Sequence, residues 1–157
     1  MSRDLQVRVA TAADSSVLAQ LLHDFNTEFD TPSPGPSVLA AKLEELLSTD
    51  GTFAVLAGPP PSGVALVTLR TNVWHAGPVA LLDELYVSPQ HRDTGIGTRL
   101  VATVFEEAAR RSVDYIEVNV DEGDVDALRF YRRHGFVAEE PDTGERALYL
   151  FREGTQP

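Results

Sequence analysis

Leu81-Leu-Asp-Glu-Leu-Tyr-Val-Ser-Pro-Gln-His-Arg-Asp-Thr-Gly-Ile-Gly-Thr-Arg-Leu-Val101 is the stretch that decides the fold. Its apolar first half predicts a strand over Leu81–Val87. Ser88-Pro89 stops that strand, because proline offers no ladder N–H and restricts the residue before it. The second half sets Arg92, Gly95 and Gly97 at the spacing Arg-x-x-Gly-x-Gly, directly ahead of an apolar run at helical spacing. Lacking a Cβ, glycine lets backbone N–H groups close on an anion, and a helix's first turn adds unpaired N–H groups and a partial positive charge. Strand, loop and helix in that order suit a pyrophosphate; two glycines before a helix also suit a plain tight turn.

After the loop, Ile96, Leu100, Val101, Val104, Phe105 and Ala108 form one helical stripe, with Arg110 and Arg111 at the end where the dipole favours cations. Tyr115 to Val120 alternates and predicts a strand parallel to Leu81–Val87, joined to it by a right-handed crossover. Upstream, Leu5 to Ala10 alternates as a strand, and Thr11 to Asp14 reads as a capping box. Val17, Leu18, Leu21, Leu22, Phe25 and Phe29 then make a first helical stripe. Three prolines and a glycine between Pro32 and Pro36 break it, and a second helix is expected from near Ser37 through Val38, Leu39, Leu43, Leu46 and Leu47. Thr52–Ala57 and Gly63–Arg70 predict a hairpin across a Pro-rich loop. Downstream, Asp121 to Asp126 carries four carboxylates but lacks the glycine and glutamate positions of a calcium loop. A short helix is expected from Asp124 as its cap to His134, ended by Gly135. Phe136–Glu140 and Ala147–Arg152 predict a closing hairpin.

The 157 residues suit a single domain over 1–152, with 153–157 as a flexible tail. No apolar run spans a bilayer and the first residues lack a signal-peptide core, so the expected location is the cytoplasm, away from membranes. With no cysteine there is no thiolate metal site and no cysteine acyl-enzyme, and the four histidines have no two-ligand helical spacing, so no metal is expected. Thirteen basic against 24 acidic residues give a net charge of −11, which speaks against a nucleic-acid partner. That charge serves solubility, and a field of one sign also draws in a cationic substrate.

The expected element order, βααβββαβαββ, is α/β with a mixed sheet. This order, the Arg92-x-x-Gly95-x-Gly97 loop and the later motif Ala127-Leu-Arg-Phe-Tyr131-Arg-Arg-His-Gly135-Phe136 resemble the GCN5-related N-acetyltransferase (GNAT) superfamily over nearly the whole chain. The resemblance implies a GNAT-like fold: a mixed, mostly antiparallel sheet, splayed between the strands at 81–87 and 114–120 and flanked by helices. It implies acetyl-CoA as co-substrate, with its pantetheine arm in the splay against Leu85, Tyr86 and Val87. Backbone groups of Arg92, Asp93, Thr94, Gly95, Ile96, Gly97 and Thr98 would take its pyrophosphate. Asn119, Asp124, Ala127 and Phe130 complete the implied cofactor contacts, and Tyr131 would protonate the departing thiolate. Three residues depart from the family pattern: Asp93 and Thr94 bring less positive charge to the loop, and Asp124 stands where an Asn is usual.

Tyr131 beside Phe130 is also an ordinary core pair, and Asn119 a plain polar strand end. Asp83 and Glu84 fall on opposite faces of a regular strand, where a buried carboxylate needs a partner or a purpose. Amine attack on a thioester needs a neutral amine, so Glu84 first and Asp83 second are candidate bases or contacts to a cation; the alternative is a solvated edge residue or an arginine partner. Glu28 and Asp30, near the Pro-rich loop, are candidates for substrate binding or simply solvated loop carboxylates. The expected activity is direct transfer, in a ternary complex, to a primary amine of a small cationic acceptor. A peptide or protein N-acetyltransferase and a non-catalytic acyl-CoA sensor are the alternatives, and a homodimer is expected by analogy.

Overall fold

A computed structural model describes residues 5–154. Its contacts divide the chain into two compact units, one ending at Val118 and the other beginning at Asn119. The first contains β1 (Val7–Val9), α1 (Ser15–Glu28), α2 (Pro36–Leu47), β2 (Thr52–Ala57), β3 (Gly63–Arg70), β4 (Val79–Val87), α3 (Ile96–Arg110) and β5 (Ile116–Val118). The second contains α4 (Val125–Arg133).

The sheet runs β1-β2-β3-β4-β5 in space, antiparallel through β4, with β5 parallel to β4. The α3 crossover supplies the connection that a parallel neighbour requires. All six residues of β2 are buried, as befits a strand covered on both faces. On one face Leu18, Leu21 and Leu22 of α1 and Leu43 of α2 pack on Ala54, Leu56, Val64 and Tyr86. On the other, α3 buries Ile96, Leu100, Val101 and Val104. It comes so close to β3 that a Cβ on Gly63 would lie 2.9 Å from Leu100 Cδ1.

Local chemistry sets the boundaries. A 3₁₀ turn over Ala12–Asp14 precedes α1, and the Asp14 carboxylate accepts from the Thr11 N–H at 2.8 Å. Arg8 grips the same carboxylate with two bonds of 2.8 and 2.9 Å. Gly35 takes φ 98° ahead of Pro36, so α2 starts one residue earlier than its apolar pattern indicates. β4 begins at Val79 rather than Leu81, and β5 occupies Ile116–Val118 rather than the expected Tyr115–Val120.

In the second unit Asp124 caps α4, accepting from the Ala127 N–H at 3.1 Å, and Gly135 follows at φ 90°. The expected closing pair of strands is corrected. The chain at 136–140 and at 146–152 is linked by the bridge Glu139↔Arg146 and by the Ala147 N–H on the Ala138 carbonyl at 2.8 Å, and neither stretch forms a strand. Their apolar, β-rich residues record strand propensity, and propensity becomes a strand only against a paired edge.

Candidate active site

Two features of β4 define the site. The first is a break in register: Leu66 pairs with Glu84 and the next residue, Val67, with Leu82, so Asp83 is an extra residue on β4. Such a bulge shifts the two-residue alternation. Leu82 stays with Val67 on the α3 side, whereas Glu84 joins Leu66, which packs against the α1–α2 core. The Asp83 carboxylate accepts a short hydrogen bond from the Thr68 hydroxyl, and Thr68 lies two residues beyond Leu66 on regular β3. Both carboxylates therefore serve the same face, not opposite faces as simple alternation predicts. The second feature is that β5 pairs only with Ala80, Leu81 and Leu82. From Glu84 to Val87, β4 is paired with β3 and not with β5. The sheet opens where the bulge sits.

The electrostatics follow from this placement. Glu84 is half-buried, and burial first, then the neighbouring Asp83 carboxylate, push its pKa up from the ordinary value. Tyr86, two residues on, is buried; its ring stacks on Phe25 at 4.9 Å and its hydroxyl donates to Glu28 at 3.1 Å. Burial and that bond push its phenol up to about 12, so it remains a donor at neutral pH.

Beyond β4, Ser88 accepts or donates with His91 Nδ1 at 2.8 Å in a 3₁₀ turn over Pro89–His91, and the Thr94 hydroxyl donates to the His91 carbonyl at 2.6 Å. Arg92 to Gly95 are exposed. Asp93 and Gly95 take the left-handed region, φ 62° and 83°, which brings the chain round into α3. No described side chain caps α3, so the N–H groups of its first turn, Ile96 to Thr98, begin a helix whose N-terminus faces the exposed loop. The exposed Arg92 side chain nonetheless folds back on the protein. Its Nη2 lies 2.8 Å from the Glu28 carboxylate and its Nε donates to the Val87 carbonyl at 3.0 Å. The two candidates Glu28 and Arg92, one assigned to substrate and one to cofactor, thus meet each other. Asp30 follows α1 with φ 53°.

An uncapped helix start behind a glycine loop, beside a strand with backbone groups unpaired to its neighbour, matches an extended diphosphate ligand. Residues 18–136 match the Acetyltransferase (GNAT) family. The chain belongs to this family. A candidate acetyltransferase from Arthrobacter sp. FB24 is 45% identical, covers 98% of this chain and 99% of its own, and superposes with a TM-score of 0.89. An aminoglycoside N(6')-acetyltransferase type 1 of Stenotrophomonas maltophilia is 31% identical over 158 residues, 96% of this chain and 94% of that protein. An uncharacterized N-acetyltransferase of Methanocaldococcus jannaschii is 37% identical over 62 residues, which span 40% of this chain and 27% of that relative. The GNAT fold is one that binds acetyl-CoA and carries acetyl transfer to amines, and this chain has its sheet and its glycine loop.

In the second unit, Tyr131 is half-buried on α4, edge-on to Phe130 at 5.3 Å and to Phe136 at 5.5 Å. Phe130 also meets the His134 ring at 4.6 Å. Asn119 is exposed just after β5. Asp124 and Ala127 are engaged with each other as cap and capped N–H. Among the described residues no group of three or more His, Cys, Asp or Glu is placed to hold a metal, and no helix is long and apolar enough to cross a membrane. Thr68 escapes sequence inspection because only the register of β3 against β4 brings it to Asp83.

Proposed function

We propose that the chain is an acetyl-CoA-dependent N-acetyltransferase acting on a primary amine of a small cationic acceptor, by direct transfer in a ternary complex. The observation that carries this reading is the bulge at Asp83, which sets two carboxylates on one face at the place where β5 leaves β4. A paired negative site suits a polycationic amine, and the identity to an aminoglycoside N(6')-acetyltransferase across 96% of the chain makes aminoglycoside-like amines the leading acceptor class.

Acetyl-CoA supplies an acyl thioester. The Leu85–Val87 backbone would hold its amide arm and the Arg92–Thr98 loop its pyrophosphate, while Ala127 and Phe130 of the family motif, Asp124 at its head and Asn119 at the preceding strand end would complete the cofactor contacts. Glu84 takes a proton from the acceptor ammonium, directly or through water, which leaves the nitrogen lone pair free to attack. Its raised pKa makes it a stronger base than an ordinary carboxylate. Asp83, oriented by Thr68, holds a second positive charge of the acceptor. The C–N bond forms as the C–S bond breaks, the Tyr131 hydroxyl donates its proton to the leaving sulfur, and the second proton that the nitrogen sheds on becoming an amide restores the phenol through water. Asp30 lines the acceptor side from the end of α1.

Thiol release from acetyl-CoA, measured against aminoglycosides, polyamines, amino acids and a basic peptide, tests the reading. Turnover on a small polycationic class, abolished or strongly reduced by Glu84→Gln, supports it. Turnover confined to the peptide, or failure to bind acetyl-CoA, overturns it.

A further inference from the structure

Within the glycine loop, the Arg92 side chain is tied to a distant element. Its guanidinium contacts Glu28 at the last turn of α1, 64 residues earlier, and the carbonyl of Val87 at the end of β4. It also lies over the Tyr86 ring, with Cζ 5.7 Å from the centroid. Tyr86 in turn donates to the same Glu28 carboxylate. Three residues from α1, β4 and the loop thus form a closed ring of contacts, and the arrangement uses two of the three guanidinium nitrogens. Those contacts hold a cation beside the loop but direct it towards protein, and they engage the Val87 carbonyl, which belongs to the strand segment assigned to the pantetheine arm.

We propose that Glu28 and the cofactor pyrophosphate compete for Arg92, so that Glu28 is a positioning residue for the cofactor loop rather than a simple acceptor contact. In the free protein Glu28 holds Arg92 back on Val87 and Tyr86. When a diphosphate occupies the loop, Arg92 leaves Glu28, and the carboxylate keeps only its bond from Tyr86. Cofactor binding then changes the charge presented at the end of α1, next to the acceptor side. This inference rests on the acetyl-CoA reading above.

The competition predicts a gain of affinity from losing a contact. The ion pair is partly exposed, with side chains 39% and 26% accessible, so its release is worth about a two- to fivefold change in dissociation constant. Acetyl-CoA is titrated calorimetrically into the wild type, Glu28→Gln and Asp24→Asn. The last removes an equal charge one turn earlier on α1, where Asp24 bonds Gln20 rather than Arg92. Glu28→Gln is expected to bind about two- to fivefold more tightly while Asp24→Asn is unchanged. Unchanged or weaker binding in Glu28→Gln overturns the proposal. An equal gain in both variants also overturns it, since a general field effect then accounts for the result. If the wild type itself does not bind acetyl-CoA, the functional reading falls, and this proposal with it.

Discussion

Arg111 lies over the ring of Phe53, its guanidinium carbon 4.8 Å from the centroid, and the same side chain bonds Glu107 at 2.9 Å. The C-terminal end of α3 is thereby fixed to β2. Glu107 is buried, with its carboxylate held by Arg110 as well as Arg111. Sequence inspection assigns these two arginines to the helix dipole alone, whereas in the structure they neutralise a buried acid.

Glu107→Ala is expected to destabilise by about 1–2 kcal/mol, because it takes the anion from Arg110 and Arg111, whose side chains are 71% and 26% accessible and so partly screened by solvent. Equilibrium urea unfolding measures this. The Arg110 bond comes first among the causes that lower the Glu107 pKa. The stability it contributes is therefore present above the unfolded carboxylate pKa and is lost as pH falls through the folded one.

Asp14, gripped by Arg8, has its pKa lowered from 3.8 to about 2. The folded value is below the unfolded one, so the pair contributes above about pH 4 and loses its effect between about pH 4 and pH 2. Arg8 is 46% accessible, so solvent screening trims the contribution to about 1–2 kcal/mol. Asp14→Asn should lower stability by that amount at neutral pH and flatten the acid limb of a stability–pH curve. Thermal unfolding over pH 2–7 shows whether it does.

If Glu84 is the base, kcat/KM rises with pH through a pKa above the ordinary carboxylate range, because only the deprotonated form accepts the amine proton. Glu84→Gln should lower kcat by roughly 10²-fold and remove that limb. Asp83→Asn removes the neighbouring negative charge and should move the limb to lower pH. A limb that stays in place in Asp83→Asn would break the link between the two carboxylates.

Gly63 and Gly95 should respond differently to alanine. A Cβ on Gly63 meets Leu100 Cδ1 at 2.9 Å and the Tyr86 carbonyl at 3.0 Å, so the Leu100 side chain must repack and the strand backbone give way, at a cost of about 1–3 kcal/mol. At Gly95 a Cβ meets nothing within 4 Å, and the cost is the left-handed backbone alone, about 1 kcal/mol. The Gly95→Ala protein should therefore fold and show its defect in acetyl-CoA affinity. Comparing unfolding curves with binding titrations separates the two effects.

The strands, the glycine loop and the α3 stripe were legible because each is a local pattern: β-rich runs bounded by Pro and Gly, or apolar residues at helical spacing. What escaped depends on partners. Nothing in Leu82-Asp-Glu-Leu-Tyr reveals that Asp83 is extra, since the bulge exists only in the count of residues against β3. Glu28 and Arg92 each carried a separate assignment, and their contact joins residues 64 apart. Ala147 to Arg152 misleads in the opposite direction: its apolar, β-rich run is strand-like, yet the pairing stops at the bridge to Arg146 just before it and the Ala147 N–H on the Ala138 carbonyl.

The extra residue at Asp83 also sets the phase of β4. In an unbroken strand Leu82 and Glu84 would share a face, whereas with Asp83 between them Leu82 stays opposite Val67 and Glu84 opposite Leu66. Deleting Asp83 would make Leu82 and Glu84 consecutive and leave both pairs, and both faces, in step. A single-codon deletion here is a length change that β4 can absorb: it removes one carboxylate of the pair and the local irregularity, while an added or lost residue within Leu85–Val87 would put the rest of the strand out of phase.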